Sequence, residues 1–146
     1  MGAYQTIVVG TDGSESSLKA VERAGAIVGS GTLVIACAYF PNDRGVGGAA
    51  DVLKDEAYQI TGSSPTEEIL RTAKERAHGV GAENIDQRAV KGAPVDALLQ
   101  LVTDVKADLL VVGNRGLASI AGRLLGSVPA DVARKAACDV LIVHTT

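Results

Sequence analysis

Tryptophan is absent, and aromatic residues make up only 3% of the chain. A core of stacked rings is thereby excluded, so Val, Leu, Ile and Ala must fill the interior. Apolar residues account for 47% of 146 positions, enough for such a core without metal or disulfide staples. Cysteine is scarce: Cys37 and Cys138 stand far apart, each inside an apolar stretch. They read as free, buried thiols of a reducing compartment, not as a structural bridge.

An excess of positive charge is lacking as well. Fourteen Lys and Arg face seventeen Asp and Glu, for a net charge of −3, which argues against a module that holds nucleic acid by neutralising phosphates. No apolar run approaches the roughly 18 residues of a membrane span, and no basic segment leads into an apolar one at the start of the chain. A cytoplasmic protein without membrane partners is expected. The two histidines, His78 and His144, are isolated in sequence, so neither a metal-ligand cluster nor a catalytic base is visible. There is no G-x-x-x-x-G-K-[ST] phosphate loop and no G-x-G-x-x-G after the first strand, which argues against an ordinary P-loop or dinucleotide fold.

What is present is an alternation. Four apolar runs, Ile7-Val8-Val9, Leu33 to Ala38, Leu109 to Val112 and Val140 to Val143, are continuous, as in parallel strands buried on both faces. Ile85 to Val90 mixes charge with apolar residues and suits an edge strand. Helical signals fall between the runs. Leu18, Val21, Gly25 and Val28 line one face after Ser14. Ser64-Pro65-Thr66-Glu67 reads as a capping box, with Gly79 as a stop. Val95, Leu98, Leu99 and Val102 recur at helical spacing behind Pro94. A final short helix is expected from Ser127 to Ala137. The order β-α-β-α-β-α-β-α-β implies one α/β domain over residues 1–146, with helices on both faces of a parallel sheet. The Gly-rich stretch from Pro41 to about Ser63 is expected as a long loop.

Two loops carry chemistry. Gly10-Thr11-Asp12-Gly13-Ser14 follows the first strand directly, where open α/β sheets bind ligands. Its acid, hydroxyls and glycines suit a nucleoside, with Asp12 able to accept from a ribose hydroxyl or help hold a metal. The same residues also suit a turn that caps the next helix. The second loop is Gly113-Asn114-Arg115-Gly116, nine residues, then Gly126-Ser127. Its glycines permit close backbone approach and positive φ. Ser127 opens a helix whose free N–H groups favour phosphate, and Arg115 adds fixed positive charge.

These two loops and the element order resemble the universal stress protein family, in its nucleotide-binding branch. The resemblance spans essentially the whole chain. It rests on Ile7-Val8-Val9-Gly10-Thr11-Asp12-Gly13-Ser14, on Gly113-x-x-Gly116 with Gly126-Ser127, and on Val140 to Val143. It implies a three-layer α/β/α fold with a five-stranded parallel sheet of order 3-2-1-4-5, adenine nucleotide alpha hydrolase-like. It also implies a homodimer through the last strand, here Asp139 to His144. Carried over, Gly10, Thr11 and Asp12 lie beside the nucleoside and the Ala38 backbone meets the adenine edge. Val112, Gly113, Arg115 and Gly116 cradle ribose and phosphates, and Gly126, Ser127 and Val128 complete the phosphate site. Pro129 departs from the pattern, since it has no N–H to offer a phosphate.

The ligand expected is an adenine nucleotide: ATP, with magnesium as its companion, or cyclic AMP or AMP. A triphosphate concentrates about four negative charges, and the second loop offers Arg115 and Arg123 but no Lys. A single phosphate charge needs less. No catalytic residue is assigned. The alternatives are a slow ATPase, for which Asp12 is the one residue placed to orient a water, and a dimeric adaptor whose nucleotide site is vestigial.

Overall fold

Ile7, Val8 and Val9 are completely buried, because the strand that carries them has a neighbour on each side and helices above and below. The computed structural model describes residues 4–39, 63–114, 117–118, 124–125 and 128–145. In chain order they form β1 (Thr6–Gly10), α1 (Glu15–Ile27), β2 (Thr32–Tyr39), α2 (Ser63–Gly79), β3 (Asn84–Lys91), α3 (Pro94–Val105), β4 (Leu109–Gly113), β5 (Leu117–Ala118), β6 (Leu124–Leu125), α4 (Val128–Lys135) and β7 (Asp139–Val143). Five strands make the main sheet in the order β3-β2-β1-β4-β7, all parallel. Counting only those five strands along the chain, this is the expected order 3-2-1-4-5.

The period-2 alternation of a strand sends the central residues to two cores. Ile7, Val9, Leu33, Ile35, Leu109 and Val111 pack with Leu18, Val21 and Ala24 of α1 and Leu70, Ala73 and Ala77 of α2. Val8, Val34, Leu110 and Val112 pack on the other face with Leu98, Leu101 and Val102 of α3 and Val132 of α4. Each such aliphatic side chain contributes roughly 1.5–3 kcal/mol by leaving water. The ion pairs of Arg76 with Glu15 and Glu22 between α1 and α2 lie in solvent, which screens them. The apolar faces therefore decide the layering.

The helix boundaries follow their local chemistry. Ser14 caps α1 in an extended conformation, accepting from the Ser17 N–H at 3.1 Å. Pro94 sits in the first turn of α3, where its missing N–H costs nothing. Gly25 lets α1 approach α2 so closely that an added Cβ would lie 2.9 Å from Val80 Cγ2 and 3.2 Å from the Ala77 carbonyl oxygen.

Four expectations need correction. Helix α2 begins at Ser63, so Ser64 lies inside its first turn and is not the cap; Gly79 ends the helix as read. The stretch between Gly113 and Gly126 is not loop throughout: β5 and β6 form an antiparallel pair outside the main sheet. The last helix is shorter than Ser127 to Ala137, running from Val128 to Lys135. Strand β7 is not buried on both faces; among the described residues it pairs only with β4, and Ile142 is 42% exposed. The segment read as a long loop, Pro41 to Ser63, lies outside the described residues except for Ser63. Among the described residues no helix is long and apolar enough to cross a membrane.

Candidate functional site

β1 pairs with β2 on one side and β4 on the other. The chain leaves β1 for α1 on one face of the sheet, whereas α4, which follows β4 and the small hairpin, packs on the opposite face. Loops that part in this way open a crevice at the carboxyl ends of the two strands, the topological switch point. Both sequence-selected loops start at this crevice.

The first turn is held by hydroxyl groups. The Thr11 N–H donates to the Ala36 carbonyl at 2.9 Å, tying the turn to β2. The Thr11 and Ser17 hydroxyls are 2.7 Å apart. Ser17 Oγ donates to the Ser14 carbonyl at 2.9 Å, so its one hydrogen is spent and the Thr11 hydroxyl must be the donor between them. Thr11 Oγ1 also accepts from the Gly13 N–H, and Ser17 Oγ from the Asp12 N–H. Thr11 is only 1% exposed. It shapes the turn from inside, and the surface the turn presents is largely backbone, bent at Gly13 with φ of +86°. Asp12 Oδ1 accepts from the Ser14 N–H at 2.9 Å, as in a turn that leads into a helix. Here the capping reading and the binding reading describe the same residues.

Gly10 ends β1 opposite Ala36, and Ala38 is half-buried near the end of β2. Beside it, burial pushes the Cys37 thiol up to about 12, with the nearby Asp12 charge adding to the effect. Cys37 is thus an inert apolar wall of this region. At the start of α1, Arg76 lowers the Glu15 carboxyl by hydrogen bonding and by its charge.

At the end of β4, the Val112 side chain is spent on the core facing α3 and α4, which leaves its backbone for the crevice. Gly113 is buried, and it does not use the positive φ that a glycine permits. Its value is space. A Cβ there would lie 3.4 Å from Thr145 Cγ2 and 3.5 Å from Ser16 Oγ, ordinary contacts that the protein tolerates.

The sequence reading missed the residues around this glycine. Asn114 Oδ1 accepts from both the N–H and the hydroxyl of Thr145, each at 2.9 Å. Thr145 Oγ1 is in turn 2.5 Å from Ser16 Oγ in the first turn of α1. No motif signals this contact, since the partners are scattered along the chain. Arg115, Gly116, Gly126 and Ser127 lie outside the described residues. Val128 opens α4, and Pro129 is buried in its first turn, where a missing N–H breaks no helix bond. His78 and His144 are both exposed. Among the described residues no group of three or more His, Cys, Asp or Glu is placed to hold a metal.

The sheet order and the crevice define a doubly wound α/β protein of the adenine nucleotide alpha hydrolase-like fold. The universal stress protein family model matches residues 3–144. The chain is 61% identical over 147 residues to universal stress protein Rv1636 of Mycobacterium tuberculosis H37Rv, covering all of both proteins. It is 32% identical to a universal stress protein of Thermus aquaticus, covering 97% of this chain and 99% of that one. A crystal structure of a universal stress protein in complex with cAMP shares 61% identity with a TM-score of 0.77, over 99% of this chain and all of the other. The chain belongs to the universal stress protein family.

Proposed function

We propose that this protein binds an adenine nucleotide in the β1–β4 crevice, and that the ligand is a monophosphate, cyclic AMP foremost. The observation that carries this reading is the similarity, 61% over nearly the whole chain, to a universal stress protein crystallised with cAMP, joined to a strand order whose switch point falls between β1 and β4. Gly10, Thr11 and Asp12 bound the nucleoside end, and the Ala38 backbone faces the adenine edge. Val112, Gly113, Arg115 and Gly116, with Gly126, Ser127 and Val128, serve ribose and phosphate. The role is that of a binding protein in signalling or stress response, within the cytoplasm. ATP hydrolysis at most slow fits this reading, because Asp12, the one candidate to orient a water, is assigned to the ribose. Calorimetric titration with cyclic AMP and with ATP, each with and without magnesium, tests the proposal. Tighter binding of cyclic AMP without metal is expected. ATP bound at least about tenfold tighter with magnesium, a difference of about 1.4 kcal/mol, would overturn the monophosphate preference.

The same reading includes a homodimer through β7. Its outer edge has no strand partner among the described residues, and Ile142 stands exposed on it. An apolar unpaired edge calls for cover. Sedimentation of the wild type as a dimer and of Ile142→Asp as a monomer is expected; a wild-type monomer at all concentrations would refute it.

A further inference from the structure

Thr145 lies two residues beyond β7 and is 6% exposed. Val143 is the register partner of Gly113, and the period of two carries Thr145 to the same face, above the glycine. There it fills the space that a side chain at position 113 would share. Its hydroxyl hydrogen goes to Asn114 Oδ1 at 2.9 Å. The hydroxyl therefore cannot also donate to Ser16, so Ser16 Oγ is the donor across their 2.5 Å contact. The resulting chain runs one way, from Ser16 through Thr145 to Asn114. The Thr145 N–H adds a second bond to Asn114 Oδ1 at 2.9 Å, and the Asn114 N–H donates to the Val143 carbonyl at 2.8 Å. The Lys19 ammonium of α1 lies 3.5 Å from the Thr145 carbonyl oxygen. One residue thus ties the turn leaving β4 to the first turns of α1.

We propose that Thr145 is a positioning residue for the phosphate end of the nucleotide site, acting through Asn114 and not by touching the ligand. The inference rests on the nucleotide reading above. Asn114 has both carboxamide-oxygen acceptor positions filled by Thr145, and the next residue in sequence is Arg115, the cation assigned above to ribose and phosphate. Fixing Asn114 fixes the backbone direction in which the chain leaves β4. Ser16 adds the other wall of the crevice, because α1 begins where the Asp12 turn ends. Both sides of the site are referred to one buried hydroxyl.

The test compares Thr145→Val, which keeps the shape and removes the hydroxyl, with Thr145→Ser, which restores it. Affinities for cyclic AMP and for adenosine are measured by calorimetry, with thermal unfolding alongside. Loss of one positioning hydrogen bond is worth about 0.5–1.5 kcal/mol, so Thr145→Val is expected to bind cyclic AMP about three- to tenfold more weakly. Adenosine, which has no phosphate, is expected to bind within about twofold of wild type, a change below the worth of one hydrogen bond. Thr145→Ser is expected to recover cyclic AMP binding. If Thr145→Val is poorly folded, Ser16→Ala, which removes the far donor from the helix surface, must show the same selective loss. Unchanged cyclic AMP affinity in a folded Thr145→Val overturns the proposal, as does an equal loss for both ligands, the mark of a merely structural role. Wild-type protein that binds neither ligand overturns the nucleotide reading itself, a result separate from the other two.

Discussion

The Thr11 hydroxyl donates to the Ser17 hydroxyl at 2.7 Å inside the first turn of the site, with both residues 1% exposed. That bond, the Thr11 acceptor role toward Gly13 and the Ser17 acceptor role toward Asp12 make the turn a closed set of satisfied groups. Thr11→Val preserves shape but strands the Gly13 N–H and removes a donor. A loss of about 1–3 kcal/mol in folding stability is expected, read as a lower urea midpoint at unchanged slope. A midpoint equal to wild type would show that water replaces these bonds.

Gly113→Ala separates space for the ligand from space for the fold. The new methyl meets Thr145 and Ser16 at ordinary contact distances and needs no unusual φ. Stability is expected to stay within about 1 kcal/mol of wild type, with reduced chain entropy in the unfolded state a partial gain. Cyclic AMP affinity is expected to fall at least about tenfold, or 1.4 kcal/mol, because the crevice relies on bare backbone there. Thermal melting and titration on the same sample check both halves, and retained affinity would mean that the ligand does not approach Gly113.

Acid stability depends in part on Asp108. Its carboxylate accepts from the Gln5 N–H at 2.9 Å and the Thr6 N–H at 3.0 Å, clamping the entry of β1 to that of β4. The Gln5 bond foremost, then the Thr6 bond, holds the carboxyl below its usual value against the opposing effect of burial. The stabilisation is therefore fully present above the unfolded carboxyl value, about 4, and is lost as pH falls through the lower folded value. Asp108→Asn is expected to be less stable than wild type at pH 7, with the gap narrowing below about pH 4. Urea midpoints at pH 7 and pH 3 decide it; a gap independent of pH would point to packing instead.

The two thiols differ in reach. Cys37 is buried with its thiol pushed up to about 12, while Cys138 is half-buried and raised by burial and by Asp139. A thiol reagent at pH 8 is expected to label Cys138 in the native protein and Cys37 only in denaturant. Peptide mapping after labelling reads this directly, and native labelling of Cys37 would reveal opening of the sheet edge beside Asp12.

The central strands were legible because a strand buried on both faces must be apolar throughout, as Leu109 to Val112 is. β3 was legible for the opposite reason: Asp86 and Arg88 lie on a strand with one neighbour among the described residues and need no burial. Strand order came through the family resemblance, since apolar runs alone do not say which neighbours pair. β7 misled because its residues have the same composition as a central strand; Ile142 is apolar yet exposed, and nothing in the run itself distinguishes an edge. The β5–β6 pair has two residues per strand, too few for any period to register. In the site, glycine and the capping serine announced the turns. The Ser16–Thr145–Asn114 chain stayed hidden because Ser16 and Thr145 are 129 positions apart, and polar partners that meet only in the folded molecule leave no local pattern.

The seam between β1 and β4 joins residues about a hundred positions apart, and the hydroxyl that ties its two rims lies later still, at Thr145. During synthesis, β1, β2 and β3 leave the ribosome well before the partner that completes the crevice. An emerging chain thus owns the first turn, Gly13 and its capping serine included, long before it owns a site. The tie between the rims thus forms last, and a cut between β3 and β4 would leave the two rims on separate pieces.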